Sequence, residues 1–474
     1  MEGSERSSQG RRVEELEEEN RCLREKLKEA EEEIDRLQED NARLRRELKA
    51  AGRTPKPAGR RKPKTKHKRS GRKAGQGQFT FRQAPAASAA PPEAVEVPVT
   101  ETRCPFCGGE LKWERTDPVT VTDIPPDPQP EVKAYAVEVR RCERCDKHFR
   151  GQHPDGMPDQ YGATAHRLGP RVKAAAHAMH YGLGVPARKV PAILREFTGI
   201  VVTQSALTQE ALKKPEGAVG NAYQELRAEV PQAPAVYTDD TGWRIHGQPA
   251  QLMGFDTDQV TVFQIRDRHR NEEVRELIPA DYPGTLVTDR GRSYEAEELS
   301  AVAQQKCLDH RNRNIDEVLE VNTGRARRFW QKLKGLLREA RQLWRDQRAG
   351  QAGDFRAQAK RIEQDLTDHL RHRMLKDVDN QRLLDGIGYQ HDLGRLLRFL
   401  HDPAIEPTNN RGERILRFAV IARGLFHGSK NRRGAEAFSA FSSVIQTEVK
   451  RGAPSITNAL QNLLRPNSQA PPLG

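Results

Sequence analysis

The sequence contains no apolar run long enough to cross a bilayer. No segment approaches the roughly 18 consecutive apolar residues that a membrane-spanning helix requires, and the region near the N-terminus alternates acidic and basic residues where a signal peptide would be apolar. These absences argue against a membrane protein or a secreted protein. We therefore expect a soluble, intracellular chain without a membrane partner.

Cysteine is scarce as well. Six cysteines in 474 residues do not make a disulfide framework, and four of them form the pairs Cys104/Cys107 and Cys142/Cys145. Two CxxC knuckles supply four thiolates at the spacing of a zinc ribbon, which we predict for residues 101–150 with a structural Zn²⁺. Four thiolates leave no open coordination position, so this metal would be a scaffold and not a catalyst.

Acidic residues are outnumbered by basic ones. The 80 Lys and Arg residues exceed the 67 Asp and Glu residues, which gives a net charge of +13 and a pI of about 9.5. Such a surplus favours a polyanionic partner, although membrane-surface and ribosomal proteins share it. The hydrophobic fraction of 35% and the charged fraction of 31% indicate a polar, helix-rich chain that is long enough for two or three domains.

A heptad pattern runs through residues 13–48. Two seams carry Leu, Ile and Val, and Asn20 and Asn41 interrupt one of them. The pattern predicts a dimeric coiled coil over residues 12–50, because β-branched or Asn residues on one seam with Leu on the other favour a parallel dimer. A single solvated helix is the alternative.

Residues 51–100 form a basic and then Ala/Pro-rich segment. Its density of like charge, Pro and Gly cannot fold alone and indicates a disordered linker. Either the basic part is a solvated linker, or it is an arm that contacts DNA phosphates without reading sequence. The residues expected to make these contacts are Arg60, Arg61, Lys62, Lys64, Lys66, Lys68 and Arg69.

Residues 160–230 resemble a helical DNA-binding region. Gly199 is expected to end one helix and Thr203 to cap the next, which gives the outline of a helix-turn-helix. If this unit binds DNA, Gln204, Ser205 and Thr208 would face a groove. Ordinary helical packing explains the same pattern equally well.

Three acidic residues follow apolar segments. We predict a short strand over residues 235–238 that ends on Asp239 and Asp240, then a turn and a second strand from Gly242. Asp289 closes another apolar run, and Glu413 falls in the first turn of a predicted helix. Carboxylates at such positions suit a divalent cation, so the three together suggest a Mg²⁺ site that acts on phosphodiesters.

The order of elements predicts an α/β fold class. Residues 235–320 and 403–450 follow a ribonuclease-H-like order, with a mixed sheet and helices on both faces. Residues 324–400 interrupt this domain with a predicted helical hairpin, whose many Arg residues are either a solvated face or a DNA track. Residues 451–474 are expected to form a C-terminal helix and tail. Nearer the N-terminus, the alternation over residues 132–139 predicts the strand that returns to the second CxxC knuckle.

Five motifs resemble those of the transposases of the insertion sequence 66 family. They are Asp239-Asp-Thr-Gly-Trp-Arg244, Val287-Thr-Asp289, Cys307-Leu-Asp-His310, Thr408-Asn-Asn-Arg-Gly-Glu-Arg414 and Gly428-Ser-Lys-Asn-Arg-Arg-Gly434. The resemblance implies a DDE-type catalytic domain in which Asp239, Asp289 and Glu413 take the three catalytic places. Asp240 stands where many members have Glu, a conservative departure.

The resemblance also implies a reaction and its cofactors. Two Mg²⁺ (or Mn²⁺) ions per active site would be bridged by Asp239, with Asp289 and Glu413 each completing the shell of one ion. The enzyme would cleave transposon ends and join the 3′-OH to target DNA. Supporting roles are expected for Asp240, His310, Asn410 and Arg414, and DNA contacts for Lys430, Arg432 and Arg433.

Two other functions stay open on these observations. One is a repressor or architectural DNA-binding protein that has kept the fold without the chemistry, and the other is a nuclease that hydrolyses without strand transfer. The expected partners are transposon-end and target DNA, a second copy through the coiled coil, and the small accessory transposition proteins that usually accompany the family. The expected location is cytoplasmic and nucleoid-associated.

Overall fold

The computed structural model describes most of the chain in separate stretches. These are residues 18, 21–27, 33, 96–116, 127–136, 138–150, 168–213, 217–289, 291–322, 324–371 and 373–464. The chain divides into two compact units, residues 1–123 and 124–474. The basic arm and most of the expected coiled coil lie outside the described residues.

In the first unit, residues 21–27 are helical. Leu23 and Leu27, which belong to the two expected seams, are 57% and 60% exposed. An apolar seam left open to water on a helix is compatible with a coiled coil, because a partner helix would cover it. The dimer itself stays a prediction.

The second unit begins with a short hairpin. Strands β1 (Val139–Arg141) and β2 (His148–Arg150) pair antiparallel around the second CxxC knuckle, as expected. The strand predicted over residues 132–139 is wrong for its first part, since residues 132–136 are exposed and not in a strand. Alternation alone does not make a strand where no neighbouring strand supplies hydrogen bonds.

In the described part of the second unit, four helices precede the sheet. They are α1 (Pro170–His177), which continues into a π-helical turn over Ala178–Gly182, α2 (Val190–Thr198), α3 (Gln204–Lys213) and α4 (Ala218–Glu229). Gly199 ends α2 with φ 67°, a left-handed conformation that favours glycine. Thr203 caps α3, because its Oγ1 accepts from the Ala206 N–H at 3.3 Å. Both boundary predictions are confirmed.

A five-stranded mixed sheet forms the centre of the second unit. Its strands are β3 (Ala235–Ile245), β4 (Gln248–Asp256), β5 (Thr261–Arg266), β6 (Thr285–Thr288) and β7 (Ala303–Lys306), and the short helix α5 (Asn271–Arg275) lies between β5 and β6. The spatial order is β5-β4-β3-β6-β7. The first three strands in sequence pair antiparallel, whereas β3, β6 and β7 run parallel. The predicted α/β class with a mixed sheet is confirmed.

The course of β3 corrects one prediction. The expected turn after Asp240 does not exist, and one strand runs through both acids from Ala235 to Ile245. Thr241 and Gly242 resemble turn residues, but β4 pairs with every residue from Tyr237 to Ile245 and holds them extended. Asp239 therefore lies in the middle of a strand.

Helices cover both faces of the sheet. Successive strand residues point to opposite faces, and here they join different cores. Val236 and Leu286 belong to one core, whereas Tyr237 and Val287 belong to another that contains the helices after β7. This arrangement agrees with the expectation from the sequence.

The segment after β7 is more helical than predicted. It contains α6 (Leu308–Val321), α7 (Gly324–Arg348), α8 (Phe355–Leu370) and α9 (Val378–Asp392). The apolar residues expected at the core of a hairpin, including Trp330 and Leu333, are buried. The sequence analysis missed α9, because Gly386 and Gly388 weaken its helical pattern.

Three further helices follow, up to Leu464, the last described residue. They are α10 (Asn410–Phe426), α11 (Arg432–Lys450) and α12 (Ile456–Leu464). Helix α11 begins at Arg432, and residues 437–445 are buried without interruption. This helix is central, because β5, α4 and the π-helical turn all pack against it.

Candidate active site

Asp239 lies where the sheet opens. The parallel pairing of β3 with β6 extends only as far as Tyr237 opposite Val287, whereas the antiparallel pairing with β4 continues to Ile245. From Thr238 onward, β3 therefore has a paired strand on one side only among the described residues. The backbone of Asp239 is held by the sheet while its half-buried side chain lies at the edge of a gap.

Gly254 brings a helix close to this position. It is directly opposite Asp239 on β4, so the two residues share a face of the sheet. A Cβ atom at Gly254 would lie 2.7 Å from Ile415 Cδ1 of α10, a distance too short for van der Waals contact. The absence of a side chain at Gly254 lets α10, which also carries Glu413, pack closely beside Asp239.

Asp289 follows the last residue of β6 directly. Its Oδ1 accepts a hydrogen bond from the Gly291 N–H at 2.8 Å, which fixes one carboxylate oxygen within its own loop. Since β6 runs parallel to β3 and is adjacent to it, Asp289 comes to the same edge of the sheet as Asp239.

Asn409 connects Glu413 to the strand of Asp239. Its Nδ2 donates to the carbonyl of Thr238 at 2.7 Å, and its backbone N–H donates to Cys307 Sγ at 3.2 Å. The Glu413 N–H in turn donates to the Asn409 carbonyl at 3.1 Å, in the first turn of α10. His310 Nε2 lies 3.9 Å from Glu413 Oε1. Buried Asn409 thus brings Glu413 beside β3, next to Asp239.

The three carboxylates influence one another. Burial raises the pKa of Asp239, the negative charges of Asp289, Asp240 and Glu413 raise it as well, and the hydrogen bond from the Asp240 N–H opposes them, so that the pKa is about 7. Charges interact over distances longer than a metal–ligand bond, so these effects indicate that Asp289 and Glu413 lie in the neighbourhood of Asp239. That the three acids form one catalytic site stays a prediction.

Asp256 is a buried acid with cationic partners and serves as a comparison for Asp239. Only 3% exposed, it forms ion pairs with Lys450 and with Arg411 Nη2, the latter at 3.2 Å. Asp239 has no Lys or Arg partner among the described residues. A buried carboxylate without a cation is costly unless something else supplies the positive charge.

The central part of the sequence matches a known family. The model of the Transposase IS66 family covers residues 166–437, more than half of the chain, and this stretch includes Asp239, Asp289 and Glu413. The chain belongs to the Transposase IS66 family. The resemblance inferred from the motifs is thereby confirmed, and membership implies that DNA is the partner. No curated protein matches the sequence.

The acids of this transposase-family chain suit a hard divalent cation in their chemistry. Carboxylate oxygens are the ligands that Mg²⁺ and Mn²⁺ prefer, and Asp239 has a charge that no described cation balances. In the described stretches, however, no three or more His, Cys, Asp or Glu side chains are arranged closely enough to hold a metal ion. The donor types fit a cation, and the ligand geometry stays a prediction.

Asp240 points away from Asp239 and has its own partners. Its Oδ1 lies 3.1 Å from His269 Nδ1, and Nε2 of the same ring lies 3.1 Å from Ser293 Oγ. This chain of contacts ties β3 to the loop that follows Asp289. Sequence analysis missed His269 and Ser293, since neither belongs to a motif.

A buried lysine supports the same loop. Lys306 on β7 is fully buried, with Nζ 2.8 Å from Glu295 Oε1 and 3.2 Å from Thr288 Oγ1. Burial lowers the pKa of Lys306, and the Glu295 carboxylate opposes that shift. Arg395 Nη1 also contacts Glu295 Oε2 at 3.0 Å, so residues after α9 are joined to the strand that ends at Asp289. This network too was not foreseen.

The predicted supporting residues have different surroundings. Asn410 begins α10 and its Nδ2 contacts Asp309 Oδ2 at 3.4 Å. Arg414, the residue directly after Glu413, is exposed. Cys307 is buried, and burial raises the pKa of its thiol.

The predicted DNA-contacting residues are partly accessible. Gln204 and Ser205 are exposed at the start of α3, while the Thr208 hydroxyl donates to the Gln204 carbonyl at 3.1 Å within the helix. Lys430, Arg432 and Arg433 are exposed as well. Arg432 and Arg433 begin α11 and are not in a loop, and Arg432 Nη2 pairs with Asp267 Oδ2 at 2.6 Å. The arm residues 60–69 lie outside the described stretches.

The two CxxC knuckles share one local geometry. In the first, the Gly108 N–H donates to the Cys104 carbonyl at 2.8 Å, and in the second the Asp146 N–H donates to the Cys142 carbonyl at 2.9 Å. Backbone N–H groups of the following residues lower the pKa of both Cys104 and Cys142, which favours the thiolate. Each knuckle has the turn that a metal-binding thiolate pair uses.

The second cysteine of each knuckle is exposed. Cys107 and Cys145 are exposed free thiols, and each contacts the first cysteine of its own knuckle through a side-chain hydrogen bond. A structural zinc needs four ligands, whereas each knuckle by itself supplies two. Cys104 and Cys107 belong to the first unit, and Cys142 and Cys145 belong to the second.

CxxC spacing is local and fixes the turn of each pair, whereas 34 residues separate Cys107 from Cys142 in the sequence. Zinc binding by these four cysteines stays a prediction.

No helix in the described stretches is both long enough and apolar enough to span a membrane.

Proposed function

We propose that this chain is a DNA transposase that cleaves transposon ends and joins the resulting 3′-OH to target DNA, with Asp239, Asp289 and Glu413 as its catalytic residues. The observation that carries the proposal is the position of half-buried Asp239, which lies where the parallel pairing of β3 with β6 ends, has Asp289 directly after the neighbouring strand, and has no Lys or Arg partner among the described residues. Burial and the charges of Asp289, Asp240 and Glu413 raise its pKa to about 7. A site that concentrates negative charge in this way suits a divalent cation and, through it, phosphate.

The cofactor of this proposal is Mg²⁺ or Mn²⁺, held by Asp239, Asp289 and Glu413. Bound there, it would polarise the phosphodiester and activate the attacking hydroxyl. The residues of the chain position the ligands. Gly291 orients Asp289, Asn409 fixes the first turn of α10, and the sheet fixes Asp239.

Other side chains have supporting roles in the proposal. His310, 3.9 Å from Glu413, would orient that carboxylate and bear a positive charge when protonated. Arg414 is exposed beside Glu413, where its guanidinium can approach a phosphate oxygen. Asp240 is occupied by His269, which favours Asp239 as the ligand among the adjacent pair.

The regions outside the family match have proposed roles as well. We assign the coiled coil over residues 12–50 to dimerisation and the arm over residues 51–100 to phosphate contact. The cysteine pairs are assigned to a structural zinc that would join them into one cluster when it binds. None of these is required for hydrolysis alone. All of them suit an enzyme that must hold two DNA ends and a target.

A cleavage and joining assay tests the proposal. Purified protein is incubated with labelled DNA that carries the element's own end and its flank, in Mg²⁺ or Mn²⁺, with a supercoiled target. Asp239→Asn, Asp289→Asn and Glu413→Gln should each abolish cleavage while DNA binding is retained. Asp281→Asn, a change at an exposed acid in the loop before β6, should cleave as the wild type does.

Each other outcome selects a different function. Binding without cleavage by the wild type would favour a DNA-binding protein or a requirement for an accessory protein. Cleavage without a joined product would favour a nuclease. Cleavage that survives all three substitutions would mean that these residues are not the active site.

A further inference from the structure

One side of α7 carries a polar stripe along its length. Its members recur at intervals of three and four residues, which places them in a line on a helix, and all are exposed. They are Arg328, Gln331, Gly335, Arg338, Gln342 and Arg345. With a rise of about 1.5 Å per residue, the line is about 26 Å long.

Whether a basic residue of α7 has an acidic partner depends on its position on the helix. Lys334 and Arg341, on the flank that faces α6, pair with Asp316 and Asp309. Arg328 and Arg338 of the stripe have no acidic partner among the described residues, and Arg345 contacts only Gln342 there, at 3.3 Å. The stripe thus keeps three guanidinium groups that no described carboxylate neutralises.

The acids nearest the stripe are already engaged. Glu339 is held by Arg361 of α8, and Asp346 accepts a hydrogen bond from Gln342 Nε2 at 2.7 Å. Since an exposed, unpaired cation gains from any polyanion that approaches it, this surface is complementary to negative charge. It contains no apolar side chain, which disfavours a partner that would bury apolar area.

Gly335 lies near the middle of the stripe. Glycine weakens a helix relative to alanine, and α7 is 25 residues long without another interruption after its first residue. A Cβ atom at Gly335 would meet nothing within 4 Å. No packing within the described chain explains this glycine, whereas close approach of another molecule to the helix does.

We propose that this stripe is a docking surface for the phosphate backbone of duplex DNA, with Gly335 at the closest approach. Three planar guanidinium groups donate hydrogen bonds to phosphate oxygens, and the line spans about seven base pairs at 3.4 Å each. Contacts of this kind position DNA without reading its sequence. The inference rests on the proposed function only for the choice of DNA as the polyanion.

Salt-dependent binding to a duplex tests the surface. The full chain is titrated without added divalent cation, so the result does not depend on the catalytic carboxylates. The double variant Arg338→Gln/Arg345→Gln should reduce the magnitude of the slope of log affinity against log salt by about two. Between about 50 and 200 mM salt, its loss of affinity should therefore be roughly tenfold smaller than that of the wild type. The double variant should also bind DNA more weakly at every salt concentration.

The matched control removes two cations that already have acidic partners. Lys334→Gln/Arg382→Gln loses the same charge, but Lys334 pairs with Asp316 and Arg382 with Asp379. Its slope should stay close to that of the wild type. Equal slopes for the two double variants would show that only net charge matters and would overturn the proposal.

Gly335→Ala separates docking from helix stability. Alanine should raise the thermal midpoint, because it is the better helix former, and should weaken DNA binding severalfold, because its methyl group obstructs the approach. A purely structural glycine would not move the two quantities in opposite directions. A more stable variant that binds DNA as tightly as the wild type would contradict the role assigned to Gly335.

Discussion

At the residue scale, the carboxyl group of Asp239 is the chemically unusual one. Burial and the adjacent acids raise its pKa to about 7, so near neutral pH the metal-free protein holds it partly protonated. A cation needs the ionised form and therefore competes with the proton. This competition ties metal affinity to pH.

We predict that Mg²⁺ affinity rises as pH increases through about 7 and then levels off. Below the pKa of Asp239 the proton must leave before the cation binds, so binding should release up to about one proton near pH 6. Calorimetry in two buffers of different ionisation enthalpy measures this release. Asp239→Asn should remove it and Asp281→Asn should not. A pH-independent affinity would show that Asp239 is not a ligand.

A second prediction concerns His269. His269→Asn should break the contact chain from Asp240 to Ser293 and lower cleavage severalfold, because that chain ties β3 to the loop that follows Asp289. Ser293→Ala keeps the contact between His269 and Asp240, so its effect should be smaller. The comparison is made by initial rates at saturating DNA. A His269→Asn variant with wild-type rate and pH profile would show that Asp240 needs no such support.

Sequence analysis found the acids and missed their partners for a physical reason. Asp239, Asp289 and Glu413 follow apolar runs or begin a helix, and such signals are local in the chain. The roles of His269 and Lys306 depend on contacts with residues far away in sequence, such as Asp240 and Thr288. Such contacts cannot be inferred from a single sequence.

At the element scale, the distance between α10 and the sheet is set by a missing side chain. We predict that Gly254→Val destabilises the protein by about 1–3 kcal/mol through overpacking and also lowers cleavage, because α10 must move and takes Glu413 with it. Chemical denaturation and cleavage rates measure the two effects.

A compensating change tests this geometry. Gly254→Ala should have a milder form of the same defect, since its Cβ would meet Ile415 Cδ1 at 2.7 Å. Ile415→Val removes that methyl group, so Gly254→Ala/Ile415→Val should recover activity relative to Gly254→Ala alone. No recovery would mean that Ile415 is not the group that limits the approach of α10.

Elements were predictable where the local pattern and the tertiary context agree. The strand before Asp289 and the helix that carries Glu413 were expected from apolar runs and from Asn at a helix start. The turn at Thr241 and Gly242 was wrong, because pairing with β4 outweighs the local preference of these residues. Helix α9 was missed for the opposite reason, since its packing is favourable despite Gly386 and Gly388.

At the scale of the whole molecule, metal content is the most direct check on the N-terminal regions. We predict that the purified protein contains one zinc ion per chain that resists dialysis, because each knuckle already has the turn a thiolate pair uses. Elemental analysis measures it.

Cysteine variants distinguish one shared zinc from metal held by single pairs. Cys107→Ser and Cys145→Ser lie in different knuckles, and each should lose the zinc, because a four-thiolate site fails when either pair is broken. Cys22→Ser, which lies outside both knuckles, should retain it. Zinc-free protein with an unchanged thermal midpoint would contradict a structural zinc.

We expect no insertions or deletions within β3, the strand that carries Asp239. Its side chains alternate between faces without a break from Ala235 to Ile245, and beyond the acids Trp243 Nε1 donates to Ser429 Oγ at 3.1 Å. One inserted or deleted residue between Asp239 and Trp243 would turn every later side chain to the opposite face. Lineages that descend from the same ancestor as this chain should therefore vary here in residue type and keep the residue number constant.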